Sequence, residues 1–192
     1  KNGAVKLNAA LNIENTQRFK IPFPKAMSDE IISVRLRAVS TSVASSMMEV
    51  KVNGQAMFTL NFPKTTTSTK AVALEKTATI VNSAETIDIS VTYDNGGNPS
   101  ATAYLDFIEI FGKKQLVAAD NQFSFRSFEQ ANTTGAVVYQ IKNKTSIFQV
   151  WDVSNPLLPK NIQNEDSGSN FIFKADGGVF NEYVVLSQND YY

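Results

Sequence analysis

Thr86-Ile-Asp-Ile-Ser-Val-Thr-Tyr93 decides the fold class. Ile87, Ile89, Val91 and Tyr93 alternate with Asp88, Ser90 and Thr92, so the apolar period is two. In an extended chain, successive side chains point to opposite faces, which places all four apolar groups on one side of a sheet. The same alternation recurs upstream, where Ile32, Val34, Leu36 and Ala38 are separated by Ser33, Arg35 and Arg37, and downstream, where Phe123 and Phe125 flank Ser124. These are half-buried strands with one face toward a core. No stretch carries a capped helical stripe; the nearest, residues 15–23, is interrupted by Pro22 and followed by Pro24.

Turn chemistry orders the strands. Asn53-Gly54 lies between Met48-Glu-Val-Lys-Val52 and Ala56-Met-Phe-Thr-Leu60 and marks a hairpin. A strict two-residue loop would set Glu49 opposite Phe58. Pairing Val52 with Ala56, Val50 with Phe58 and Met48 with Leu60 keeps the apolar groups on one face, so a longer loop or a bulge is expected. A second turn, Asp94-Asn-Gly-Gly-Asn-Pro99, leads into Ala101-Thr-Ala-Tyr-Leu-Asp-Phe-Ile-Glu-Ile-Phe111. That run is apolar on both faces and belongs inside a sheet. Residues 1–128 supply roughly eight strands, the number of a jelly roll. After a softer boundary at residues 127–135 come four strand-like pieces, at 136–141, 146–153, 171–175 and 183–186. The expected architecture is all-β: a jelly-roll-like β-sandwich over 1–128, then a short four-stranded antiparallel meander over 129–192.

Composition narrows the function. The 192 residues carry 18 basic and 18 acidic side chains, for a formal net charge of zero, and the longest basic run is Lys113-Lys114. Nucleic-acid affinity comes from cations neutralising phosphates, so no nucleic acid is expected as partner. No apolar run approaches the roughly 20 residues that cross a bilayer, and no membrane-spanning segment is expected. The first residues, Lys1-Asn-Gly-Ala-Val-Lys6, include neither an initiator Met nor the apolar block of a signal peptide, which marks the chain as a fragment of something longer.

The chain contains no Cys and no His. A Ser-His-Asp triad, a Cys-His dyad and a thiolate or imidazole zinc site are therefore impossible within it. Paired carboxylates remain, and Asp106 with Glu109 is the tempting pair for glycoside hydrolysis. Three positions apart on a regular strand they face opposite ways, and only a bulge brings them together. The plainer expectation pairs them with bases such as Lys113 or Arg126. Asp94, Asn95 and Asn98 offer oxygens for a structural calcium ion, but they fall short of the about six to eight ligands calcium takes. Asx and Gly residues are also what a tight turn requires. Asn164, Glu165 and Asp166 form a weaker cluster of the same kind. Asn132-Thr-Thr134 and Asn143-Lys-Thr145 match the N-glycosylation pattern. Trp151, Tyr139, Tyr183, Tyr191 and Tyr192 would make a sugar-stacking platform if they faced solvent, although large aromatics in a sandwich usually fill the core.

Ile147-Phe-Gln-Val-Trp-Asp-Val-Ser-Asn-Pro-Leu-Leu-Pro-Lys-Asn-Ile162 holds the only Trp, in an apolar strand that Asn155-Pro156 breaks and Pro159 keeps from resuming. It resembles the segment that precedes the peptidase domain in gingipain-like cysteine peptidases, most closely the surface sortase (signal peptidase) family of the bacterial type IX secretion system. Two more stretches carry the likeness in the same order: Thr86–Tyr93 with Tyr104-Leu-Asp-Phe-Ile-Glu109, and Gln122-Phe-Ser-Phe-Arg-Ser127. The resemblance covers about residues 80–162. It implies a non-catalytic β-rich module of a secreted, outer-membrane-associated cell-surface protein, joined to a downstream peptidase domain of the same chain. That domain would carry the Cys and His, and secreted cargo proteins would be further partners. Trp151, Tyr191 and Tyr192 are then candidates for packing between domains. The alternatives are a carbohydrate-binding jelly-roll module and a purely structural, adhesin-like sandwich.

Overall fold

The computed structural model describes residues 5–8, 15–27, 29–119, 121–187 and 190. Its strands are β1 (Val5–Asn8), β2 (Thr16–Pro22), β3 (Glu30–Thr41), β4 (Ser46–Val52), β5 (Gln55–Phe62), β6 (Val72–Asn82), β7 (Thr86–Asp94) and β8 (Thr102–Phe111), then β9 (Phe123–Arg126), β10 (Ala136–Ile141), β11 (Gln149–Asp152), β12 (Lys160–Ile162), β13 (Phe171–Asp176) and β14 (Glu182–Leu186). One short helix, α1 (Phe128–Asn132), and a 3₁₀ turn at Lys144–Ser146 complete it. Two compact units divide the chain, Lys1–Lys114 and Gln115–Tyr192.

The first unit is a jelly roll. Its two antiparallel sheets run β1-β8-β3-β6 and β2-β7-β4-β5, so most connections carry the chain from one sheet to the other. The period-two rows face each other: Ile32, Val34, Leu36 and Ala38 from β3, and Ile87, Ile89, Val91 and Tyr93 from β7, are all at most 1% exposed. Met48, Val50, Val52, Phe58, Leu60 and Phe62 fill the rest of the core. Each such side chain contributes about 1.5–3 kcal/mol through the apolar surface it removes from water. As expected, β8 is an inner strand, flanked by β1 and β3.

Of the longer loop or bulge that its apolar pattern called for, the hairpin uses the bulge and keeps a two-residue turn. Asn53 and Gly54 take left-handed φ of 50° and 81°, as a two-residue type I′ turn demands. Val52 pairs with Gln55 rather than with Ala56. A bulge beyond Val50 then restores Val50↔Phe58 and Met48↔Leu60. The turn after β7 does not make a hairpin, because β8 belongs to the opposite sheet. Gly96 sits there at φ 62° against the Ser45 carbonyl, where a Cβ would collide. Below it, the Tyr93 hydroxyl and the Ser46 hydroxyl each lie 2.9 Å from Ser40 Oγ, which satisfies three buried polar groups at once.

In the second unit β10 pairs with β13, while the order β12-β11-β14-β9 forms a four-stranded sheet. All the pairings are antiparallel. The four strand-like pieces are thus wired across one another, 136–141 with 171–176 and 149–152 with 182–186, and not as one sequential meander. The division between units also falls ahead of residue 128. Phe123 and Phe125 pair with Val185 and Tyr183 of β14, so β9 belongs to the second unit. An aromatic cluster forms the core here: Phe125 stacks on Tyr183 at 5.2 Å, Tyr139 on Phe173 at 5.1 Å, and Phe173 meets Tyr183 edge-on at 5.1 Å.

Helix α1, which sequence patterning did not anticipate, is capped by Ser127 Oγ on the Gln130 amide. It delivers Gln130, fully buried, into this core. Gln130 Nε2 donates to the Asp176 carbonyl at 2.8 Å, and its Oε1 accepts the Tyr139 hydroxyl at 2.7 Å. Burial pushes the Tyr139 phenol above its ordinary pKa, so it stays a donor. Tyr139→Phe leaves the Gln130 carbonyl oxygen short of that partner in the interior and is expected to cost about 1–3 kcal/mol in urea unfolding. No loss of stability would show that water or another group satisfies it.

Candidate functional site

A bulge decides the geometry of the carboxylate pair. The register of β3 on β8 shifts between Arg37 and Ala38, whose partners are Phe107 and Leu105, so Asp106 is the extra residue. Strand parity reverses there. Leu105 and Ile108 both turn toward the core, and Asp106 and Glu109 share the outer face instead of facing opposite ways. Each meets an arginine. Arg35 Nε lies 2.7 Å from Glu75 Oε1 and its Nη1 3.1 Å from Glu109 Oε2, while Arg37 Nε is 3.6 Å from Asp106 Oδ2. Arg35 also covers the Phe107 ring at 5.2 Å. The carboxylates form a cross-strand charge ladder over β6, β3 and β8. Their bases are Arg35 and Arg37, not Lys113, which pairs with Glu30 at 3.7 Å, nor Arg126, which lies 5.7 Å from the Phe180 ring centre. The pattern of Arg at 35 and 37, on the polar phase of β3, was visible in the sequence, but the bulge that aligns Asp106 and Glu109 with it was not.

The oxygens of the Asp94–Asn98 loop are turned onto its own backbone. Asp94 Oδ1 accepts from the Gly96 amide and Asn95 Oδ1 from the Gly97 amide, both at 2.9 Å; Asn98 Oδ1 accepts from the Ser100 amide at 3.1 Å. These are Asx turns. Beside them a groove of about 430 Å³ is lined by residues that include Ser46, Met47, Asn61, Phe62, Asp94 and Gly96. The second cluster is also a backbone clasp: Asn164 Oδ1 accepts the Asp166 and Ile172 amides at 3.0 and 2.8 Å, and Glu165 pairs with Lys174 at 3.4 Å. The two glycosylation-pattern asparagines have structural roles, with Asn132 Nδ2 donating to the Phe128 carbonyl at 2.9 Å and Asn143 Nδ2 to the Ala118 carbonyl at 3.0 Å.

The aromatic residues do not form one platform. Tyr139 and Tyr183 are buried in the second core, at 8% and 1% exposure. Tyr191 and Tyr192 lie outside the described residues. Trp151 is half-buried and is not part of that core. It follows the fully buried Val150 on β11 and so occupies the other face of the sheet. Its cross-strand neighbours there are Val184 and Asn161. Its indole nitrogen donates to Gln149 Oε1 at 2.9 Å. Just beyond it, Asn155 holds the Pro156 turn twice, with Oδ1 on the Leu157 amide and its carbonyl on the Leu158 amide, both at 3.0 Å. The turn displays Leu157 and Leu158, at 87% and 69% exposure. Sequence reasoning found the break and missed the display; two leucines between two prolines were its only signal.

No family model and no curated protein sequence matches this chain. Among solved structures it is similar to dimeric latent PorU from Porphyromonas gingivalis, at 15% identity and a TM-score of 0.73, over 94% of this chain and 18% of that one. Weaker likenesses cover little more than half of this chain. The sugar-binding C-terminal domain of EclA matches 58% of this chain and 79% of that one at 8% identity, TM-score 0.43. A carbohydrate-binding module of family 36, in complex with calcium and xylotriose, matches 55% of this chain and 78% of that one at 16% identity, TM-score 0.38. The chain thus has the fold of a region of PorU, and spans under a fifth of the PorU chain it matches.

The ladder has a titration signature. The hydrogen bond from Arg35, its largest cause, holds the Glu75 carboxyl below the usual glutamate value, and the same contact raises Arg35. A depressed folded-state value means that Glu75 stabilises the fold at neutral pH and that this contribution fades as pH falls through its folded midpoint. NMR titration is expected to place the Glu75 midpoint below that of an ordinary glutamate, and Arg35→Gln to move it back up. An unshifted midpoint in the unmodified protein would mean that the pair does not persist in solution.

Proposed function

We propose that this chain is a non-catalytic β-module of a secreted, cell-surface cysteine peptidase of the gingipain-like, type IX secretion-associated kind, and that it positions the peptidase domain. The observation that carries the proposal is the fold match to PorU, which at 94% of the chain extends beyond either unit alone. The absence of Cys and His leaves the chain without the groups that such a peptidase uses. The second unit supplies a contact: Leu157 and Leu158 stand exposed on a turn clamped by Asn155 and flanked by Pro156 and Pro159. A pre-ordered turn loses little entropy when a partner covers it, and exposed leucines are the side chains that gain from being covered. The alternative role for the same module is receipt of secreted cargo.

Two experiments test it. The parent gene is expected to encode a domain bearing a Cys and a His within about 200 residues after Tyr192, a typical domain length; their absence would end the proposal. With that domain expressed separately, Leu157→Asp combined with Leu158→Asp is expected to leave the β-module folded by circular dichroism and to weaken its association at least about tenfold, since about 1.4 kcal/mol suffices for that. Unchanged affinity would remove the turn from the contact.

A further inference from the structure

Of the chain's three Asn-Gly pairs, Asn2-Gly3 lies outside the described residues, and Asn53-Gly54 and Asn95-Gly96 lie within them. We propose that the Asp94–Gly97 loop is a self-modifying site, at which Asn95 closes onto the Gly96 nitrogen and loses its side-chain amide, while Asn53 keeps its own. The reaction needs a nucleophilic backbone nitrogen stripped of its proton and an amide carbonyl prepared to take up negative charge. The loop provides for both. Asp94 Oδ1 accepts the N–H of Gly96, the nucleophile, at 2.9 Å, and so stands where a general base must. The Gly97 N–H donates at 2.9 Å to Asn95 Oδ1, the oxygen that becomes the oxyanion. Nucleophile, base and oxyanion donor are adjacent residues of one loop, which supplies the proximity an intramolecular step exploits.

The steps balance. The Gly96 nitrogen attacks Cγ of Asn95 as its proton passes to Asp94. The new C–N bond closes a five-membered ring, and the bond from Cγ to the side-chain nitrogen breaks. Asp94 returns the proton to that nitrogen, which departs as ammonia. Water then opens the succinimide at either carbonyl, leaving aspartate or isoaspartate at position 95. The product puts a second carboxylate next to Asp94, beside the groove of about 430 Å³ that Asp94 and Gly96 help to line. By the isoaspartate route it also adds a backbone atom to the connection between the two sheets.

Asn53 is held differently. Its Nδ2 donates at 3.2 Å to Asn82 Oδ1, on a residue that is itself 2% exposed; its Oδ1 accepts the Asp88 amide at 3.0 Å, and its own amide donates to the Asp88 carbonyl at 2.7 Å. Turning its Cγ onto the Gly54 nitrogen would break the two side-chain bonds and strand the Asn82 acceptor.

Peptide mapping by mass spectrometry after incubation of the folded protein at neutral to mildly alkaline pH tests the proposal. Asn95 is expected to convert at least about tenfold faster than Asn53, a threshold below the roughly 10²–10⁴-fold that a well-positioned base contributes. In urea the two pairs should converge, because the difference resides in the fold. Asp94→Asn keeps an oxygen to accept the Gly96 N–H but removes the base, and is expected to slow Asn95 conversion at least about tenfold, toward the roughly 10²-fold lower end of what a positioned base contributes. Equal rates at the two sites in the folded protein, faster conversion of Asn53, or an undiminished rate in Asp94→Asn would each overturn the proposal. The comparison within the unmodified protein stands even where the variant fails to fold.

Discussion

Two rows of apolar side chains, residues 32–38 from one sheet and 87–93 from the other, must exclude water from the space between them, and the first unit is organised by that requirement. Once the rows face each other, every second residue is committed to the interior and every other one to the surface. The outer positions of β3 are thereby free for Arg35 and Arg37, and those of β8 and β6 for the acids that meet them. The same constraint explains the two bulges. In both β5 and β8 the strand's apolar phase slips by one residue, and an extra residue, Met57 or Asp106, restores the inward row at the cost of a local kink.

The polar groups that the fold buries follow the same logic of completion. Ser40, Ser46 and Tyr93 satisfy one another at one end of the sandwich. Asn53 and Asn82 join the hairpin turn to the β6–β7 turn. In the second unit Gln130 ties a helix, a strand end and a core tyrosine together. Each is a place where an unpaired donor or acceptor would be costly, so each fixes one arrangement of neighbouring backbone.

What was legible in the sequence was whatever depends on local period and turn chemistry. The strand alternation at residues 32–38 and 87–93, the Asn53-Gly54 hairpin with its bulge, and the inner position of residues 102–111 all follow from side chains within a few residues of one another. What was not legible depends on partners distant in the chain. Nothing near Phe123 and Phe125 says that they pair with Val185 and Tyr183, so the boundary between units and the crossed wiring of the second unit stayed hidden. Asp106 and Glu109 looked opposed because a bulge is a property of two strands together. Trp151 looked like core because its neighbours in sequence are apolar, yet the strand phase assigns the interior to Val150.

Function divides along the same line. The lack of Cys and His is a property of composition and excludes whole classes of chemistry. The burial of Tyr139 and Tyr183 removes them from any stacking surface, and among the exposed apolar side chains described in the second unit, which include Phe128, Val138, Phe148 and Phe180, the turn residues Leu157 and Leu158 are the most exposed. The central claim is that this turn is covered by a neighbouring domain. Hydrogen–deuterium exchange tests it most directly, by comparing the isolated chain with the full protein encoded by its parent gene. The account predicts slower exchange in the full protein for the peptide spanning residues 155–160, with the outer face of β3 and β6 unchanged. Identical exchange of residues 155–160 in both would contradict it.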